Sequence, residues 1–299
     1  MGSVRKNQRK RCILLADTNT VKQLEKKALT IREELIRLCN HVPIHIGGDM
    51  SVCDVMTVIW QYAMKYDPQN PKMESRDRFI LSKGHAAAVT SLNQALLGCY
   101  KMEDIFNEYA TDYGRFGMHS CNLINPHVEV STGSLGHGLP VAAGIAQALR
   151  LKGNWQSRVY CVMGDGEQAE GSLWETAMSA PNFKLGNLVG VIDRNRCSLM
   201  GYTEERFPLE NLPEKWRAFH WNVIEVYGHD MNALIDVFDN LPPADSDVPT
   251  LIVCNTEKGH GVSFMANNPD WHMGNITDET MNKALAELQA AYKEKWGED

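Results

Sequence analysis

The sequence predicts an α/β protein of three layers, α/β/α, with helices on both faces of a mostly parallel sheet. Three observations carry this. Five short, almost continuously apolar runs recur along the chain, as strands buried on both faces do. Helical stretches separate these runs, and that alternation is the pattern of a parallel sheet covered on both sides. The chain has 299 residues, 43% of them apolar, which is enough for a sizeable core and excludes disordered, collagenous and coiled-coil chains.

The elements follow in order. Residues 1–20 read as a basic, flexible arm, with Arg5, Lys6, Arg9, Lys10 and Arg11 and no acid among the first eleven residues. Residues 21–299 read as one α/β unit. Over 21–38, Val21, Leu24, Ala28, Ile31, Leu35 and Leu38 fall at three- and four-residue steps with charges between them, an amphipathic helix. A strand is expected at 79–81, then helices at 85–97 and 136–151. Strands 159–163 and 188–192 flank a helix at 169–180. Strand 223–226, helix 231–239 and strand 251–254 follow, with the Pro242–Asp247 stretch as a loop before the last strand. A helix over 277–296 is capped by Thr277 and carries Met281, Leu285, Leu288, Tyr292 and Trp296 along one stripe.

Charge and cysteine usage exclude several functions. The net charge is -7, and beyond residue 11 there are 25 basic residues against 37 acidic ones. An acidic body does not make a nucleic-acid groove, because phosphate neutralisation needs clustered Lys and Arg. No apolar run approaches the ~18 residues that span a bilayer, and no signal-peptide pattern follows the N-terminus. The eight cysteines include no C-x-x-C pair, and several sit inside apolar runs. A cytoplasmic, reducing setting is expected, without a disulfide scaffold or structural zinc.

In open parallel sheets ligands bind beyond the carboxyl ends of the strands, so the residues there are the candidates. After strand 159–163 comes Gly164-Asp165-Gly166-Glu167. Two glycines around an Asp turn the backbone sharply and leave N–H groups for an anion such as phosphate, while the Asp can hold a hard cation. An ordinary strand–helix turn with an Asp cap would read the same way. The next strand ends in Asp193-Arg194-Asn195-Arg196-Cys197. Neighbouring parallel strands lie ~4.8 Å apart, so Asp165 and Asn195 can share one Mg²⁺ or Ca²⁺. An EF-hand is excluded, because Ser198 stands where that loop requires glycine. Thr132-Gly133-Ser134-Leu135-Gly136-His137-Gly138 opens a helix with small residues that let a ligand approach closely. His45, His85, His119 and His272 gather at turns, suited to proton traffic and oxyanion contacts around a phosphorylated cofactor.

Gly164-Asp165-Gly166 with a distant Asn195 resembles the thiamine diphosphate motif. Leu81-Ser-Lys-Gly-His-Ala86, Ser131-Thr-Gly-Ser-Leu-Gly-His-Gly138, Gly164-Asp-Gly-Glu-Gln-Ala-Glu-Gly-Ser-Leu-Trp-Glu175 and Lys258-Gly-His-Gly-Val-Ser-Phe264 resemble transketolase in family order, over about 22–290. The length is similar to the N-terminal subunit of split, two-chain transketolases. The resemblance implies a thiamine-diphosphate-binding fold and ketol transfer: a two-carbon unit passes from a ketose to an aldose, with the cofactor ring as electron sink. It assigns Asp165, Asn195 and the Cys197 carbonyl to Mg²⁺, with Ca²⁺ or Mn²⁺ as substitutes. It assigns His85, Gly166, Glu167, Asn195 and His272 to the cofactor's diphosphate side, and Gly133 and Leu135 to its thiazolium. His45, His119 and His272 would face the sugar. Glu170 and Glu175 match acidic positions near the partner's cofactor-activating Glu, which gives Glu170 a catalytic role. The implied partner is a C-terminal subunit carrying the pyrimidine-binding domain, in an α2β2 assembly.

Two segments depart from the family pattern. Met118-His119-Ser120 and Ile44-His45-Ile46 stand where transketolases often have Gly-His-Pro, which leaves the ketose open. Two other readings stay beside this one: a component of a thiamine-dependent α-keto acid dehydrogenase, and a cofactor-binding regulatory protein without turnover.

Overall fold

The computed structural model describes residues 17–199 and 201–297. Helix α1 (Thr18–His41) starts earlier than its apolar stripe suggests, because Asp17 accepts the Thr20 N–H and caps it. The arm's residues 17–20 therefore belong to a helix end, and its residues 1–16 lie outside the described residues.

All five expected strands form: β1 (Arg78–Leu81), β2 (Val159–Gly164), β3 (Leu188–Arg194), then β6 (Asn222–Tyr227) and β7 (Thr250–Asn255), numbered past a two-residue hairpin, β4 (Cys197–Ser198) and β5 (Gly201–Tyr202). Their order in the sheet is β1-β2-β3-β7-β6, and every pair is parallel. Alternate residues of a strand face opposite sides, and the packing obeys this. Tyr160 and Val162 enter one core layer, while Val159, Cys161 and Met163 enter the other.

The first layer packs α1, α2 (Ile46–Val58), α3 (Ala87–Leu97), α9 (Met231–Asp239) and α10 (Asp278–Trp296) on the sheet. A short α4 (Met102–Glu108) adds Ile105 to it. The second layer is α5 (Gly138–Leu151), α6 (Gly171–Asn182) and α8 (Leu212–Ala218), the last reached through the single turn α7 (Thr203–Arg206). Helices α3, α5 and α6 begin two residues later than their sequence patterns imply, and α10 begins directly after its Thr277 cap.

The sequence pattern misses α2, together with the wide turn Ile59–Ala63 that extends it. Every residue of α2 is buried, so no polar face marks its period. Gly47 and Gly48, which look like a turn after His45, lie in its first turn.

Candidate active site

Strands β1, β2 and β3 end side by side, and the register sets Gly164 opposite Asp193. The connections leaving these ends, with the start of α2 and the loops around His119, Gly133 and Lys258, wall a cleft of about 310 Å³. His45, His85, His119, Gly133, Leu135, Asp165, Gly166, Glu167, Asn195, Cys197 and His272 all line it. Of the site residues expected from the sequence, Glu170 and Glu175 are not brought there. Glu170 is exposed at the N-cap of α6, with its side chain against Gly136. Glu175 lies on a separate groove between α5 and α6 with His137 and Ser179.

The four histidines form one cluster. The His45 ring centre lies 5.4 Å from that of His85, 5.7 Å from His119 and 5.5 Å from His272. Burial, then the neighbouring His119, Lys83 and Lys258, push His45 down to about 4. Burial and Lys258 push His272 down to about 3, and burial with Lys83 holds His85 well below its ordinary value. These three rings are neutral at pH 7.

The cations of the cleft are two lysines that stand inside the sequence motifs without an assigned role. Lys83 and Lys258 are each 1% exposed and line the cleft. Lys83 Nζ donates to Asp193 at 2.5 Å and to the Gly48 carbonyl at 3.0 Å. Asp193 is buried as well; burial alone would raise it, but Lys83 with Ser51 and Thr256 holds it below the usual carboxylate range. Lys258 Nζ lies 3.0 Å from His272 Nδ1. An ammonium only donates, so Nδ1 accepts and the neutral ring carries its proton on Nε2. A sequence signal for the pair exists: both lysines open a Lys-Gly-His triplet.

Asp165, 2% exposed, is held by backbone and side-chain donors. Its Oδ1 accepts the Gly166 N–H at 2.7 Å. Its Oδ2 accepts the Arg196 N–H at 2.6 Å and Arg194 Nη1 at 3.0 Å. Asn195 points its amide nitrogen at Asp193 and Ser51, which leaves Oδ1 as its acceptor, taking the Cys197 N–H at 3.0 Å. Glu167 borders the cleft and ties its walls together. Its Oε1 takes Ser82 Oγ and the Gly136 N–H at 2.8 Å, while Oε2 accepts the Gly164 N–H at 3.0 Å. Oε1 is thereby filled, and Oε2 accepts one described hydrogen bond.

A second cluster lies behind the cleft, where Asp54, His229 and His260 bring possible ligand atoms within 4.8 Å. It is not built as a metal site. His229 Nδ1 meets Asp54 at 2.8 Å, its Nε2 accepts the Glu257 N–H, and Arg32 takes both Asp54 oxygens. The two imidazoles stack 3.5 Å apart at 6°, so their in-plane lone pairs run parallel and do not converge. The seven described cysteines are all free. No described helix is long and apolar enough to cross a membrane.

Comparison with known proteins agrees with this geometry. Residues 39–296 match the family described as "Transketolase, thiamine diphosphate binding domain". The chain is 38% identical over 275 residues to an apulose-4-phosphate transketolase subunit of Phocaeicola vulgatus, covering 90% of this chain and 94% of that one. It is 36% identical over 247 residues to a 6-deoxy-6-sulfo-D-fructose transketolase subunit of a Clostridium species, covering 82% and 88%. The transketolase structure from Campylobacter jejuni superposes with a TM-score of 0.80 at 24% identity, over 93% of this chain and 46% of that one. The chain thus spans about half the length of that solved transketolase and nearly all of the two transketolase subunits. By the extent of the match and by these relatives, the chain belongs to the transketolase family, as its thiamine diphosphate binding domain.

Proposed function

We propose that the chain is the cofactor-binding subunit of a Mg²⁺-dependent transketolase that moves a two-carbon ketol unit from a ketose to an aldose, working with a separate C-terminal subunit. One observation carries the reading: residues drawn from eight separate stretches of sequence, two buried lysines among them, meet in a single cleft at the strand ends. Two of the relatives are named for a sugar phosphate and a sulfonated sugar, which fits a donor or acceptor of this class.

The residues present fit the cofactor and its metal. Asp165 Oδ1, Asn195 Oδ1 and the Cys197 carbonyl are hard oxygen donors, and the first two each accept one described hydrogen bond, which leaves a lone pair free. Lys83, Lys258 and the Gly166 turn offer positive charge and N–H groups to a diphosphate. His45 Nδ1 is buried without a described partner, a polar atom waiting for a ligand. When bound, thiamine diphosphate supplies the electron sink for the two-carbon fragment.

Neutral His45 and His272 then hydrogen-bond the sugar hydroxyls, and as uncharged rings they do so without placing a third cation beside the lysines. Lys258 fixes the His272 tautomer, so its Nε2–H is presented as a donor. His119, whose ring sits against Gly133, orients the sugar. Gly84 lets the diphosphate loop press onto Gly133, since a Cβ there would stand 2.8 Å from the Gly133 nitrogen. Exposed Glu170 and Glu175 face outward, where a partner subunit would meet them.

The test is a pair of measurements, the first on Asp165→Ala. Calorimetry, at a temperature where the variant is folded, should show loss of Mg²⁺-dependent thiamine diphosphate binding; the thermal midpoint should also fall, because buried Arg194 loses its carboxylate partner. Ketol transfer, assayed by product mass across ketose donors, should need both subunits. Full turnover by this chain alone, or unchanged cofactor affinity in the variant, would overturn the reading.

A further inference from the structure

The residue that ends β3, Arg194, has no role in the function proposed above. Its side chain is 1% exposed, yet four groups converge on it. Nη1 donates to Asp165 Oδ2 at 3.0 Å and to Thr203 Oγ1 at 2.7 Å. Nη2 donates to Glu204 at 2.6 Å and to Glu210 at 3.0 Å. The fork cannot rotate without breaking several bonds at once, so the direction from which it meets Asp165 is fixed.

The two oxygens of Asp165 are thereby made unequal. A carboxylate oxygen offers about two in-plane acceptor positions. Those of Oδ2 are taken by Arg194 Nη1 and by the Arg196 N–H. Oδ1 accepts only the Gly166 N–H among the described contacts. One oxygen is saturated and the other keeps a free lone pair. Glu204 and Glu210 balance the guanidinium charge, so Arg194 stays beside the site without presenting a bare cation to an incoming metal.

We infer that Arg194 is a positioning residue that makes Asp165 a one-oxygen ligand and so biases the site towards a small octahedral cation. The inference rests on the reading of Asp165 as a metal ligand. Mg²⁺ demands near-ideal six-coordination at about 2.0–2.1 Å, whereas Ca²⁺ tolerates roughly six to eight oxygens and takes carboxylates in one- or two-oxygen fashion. Closing off Oδ2 removes the two-oxygen mode, which only the larger ion exploits well. The hub also anchors the segment 203–210 beneath the hairpin whose Ser198 borders the cleft, so the same bonds hold the ligand and its surroundings in one geometry.

The experiment displaces Mn²⁺ from the full chain, at saturating thiamine diphosphate, with Mg²⁺ or Ca²⁺, following the electron-spin signal of released Mn²⁺. The readout is the ratio of the two displacement midpoints, which cancels losses common to both ions. Arg194→Met should move that ratio towards Ca²⁺ by about five- to tenfold, and Arg194→Lys, which keeps the charge but not the fork, by a smaller factor in the same direction. If Arg194→Met does not fold, judged by its thermal midpoint without metal, Arg194→Lys and Glu204→Gln with Glu210→Gln carry the test. An unchanged ratio in the folded variants overturns the inference, including the case where both ions weaken equally. Asp165→Asn separates the two levels: if it retains metal affinity, the metal assignment itself is wrong, whereas its loss beside an unchanged Arg194 ratio sinks only the positioning role.

Discussion

His119 and His85 sit in the same cleft but stand on different supports, and their substitutions should separate. His119 lies against Gly133 and 5.7 Å from His45, in the segment that departs from the usual transketolase pattern. His85 lies beside Lys83, whose charge and the burial of the ring hold it neutral. If His119 positions the ketose, His119→Ala lowers kcat/KM for the donor while cofactor affinity stays near wild type. A polar contact strengthened in the transition state is worth on the order of 2–4 kcal/mol, or roughly 30- to 1,000-fold in rate. His85→Ala should instead weaken thiamine diphosphate binding first. Donor kinetics at saturating cofactor, paired with a cofactor titration, distinguish the two. If both variants lose only cofactor affinity, His119 does not read the sugar.

Among the secondary-structure elements, helix α2 shows best what the sequence withheld. The five strands were legible because each is a short apolar run, and the helices flanking them because polar residues mark their outer faces. Helix α2 has no outer face: α1, α3 and α9 pack around it and the chain near Trp271 closes over its start. Propensity argues against it too, with two glycines in its first turn. Those glycines are there for space. A Cβ on Gly47 would stand 2.3 Å from the Trp271 carbonyl oxygen, a backbone atom that cannot swing aside. Gly47→Ala should therefore push the turn that carries His272 outward. Overpacking of this kind costs about 1–3 kcal/mol, so the thermal midpoint should drop and cofactor affinity with it. An alanine variant with wild-type stability and affinity would show that the turn yields freely. Gly48, whose nearest neighbour would be the His85 ring at 3.4 Å, should tolerate alanine better. The candidate site was legible for the same reason as the strands: its residues lie in short glycine-marked runs at strand ends. The bonds by which Glu167 ties loops together and the Arg194 hub were not, since both depend on which loops touch.

Over the folded chain as a unit, histidines kept neutral set a pH dependence whose sign can be worked out. His45 and His260 are pushed down to about 4 and His272 to about 3, each chiefly by burial. In the unfolded chain such rings titrate near about 6.5. Between about pH 6.5 and 4 the unfolded state therefore binds more protons than the folded one, and stability falls as pH falls through that window. Above it the contribution is fully present. Asp49 works the other way. Burial raises it to about 7 against the opposing Val89 N–H and Lys83, so over about pH 4–7 the folded state holds its proton more tightly and gains stability as pH falls. The net curve mixes both, and a single histidine away from the cleft isolates one contribution. His260 is that residue: it stacks on His229, bonds Glu257 and lies near Arg32 and Asp54, and it touches no group assigned to the cofactor. His260→Gln removes the proton-binding site while keeping a polar side chain of similar reach. Thermal midpoints of both proteins, taken at intervals from about pH 7.5 to 5, should show wild type losing stability faster than the variant as acid is added. The gap between them should stay nearly constant down to about pH 6.5 and move in the variant's favour below it. A gap that stays constant over that range would mean that His260 titrates alike in the folded and unfolded chains, and that its burial does not hold it neutral.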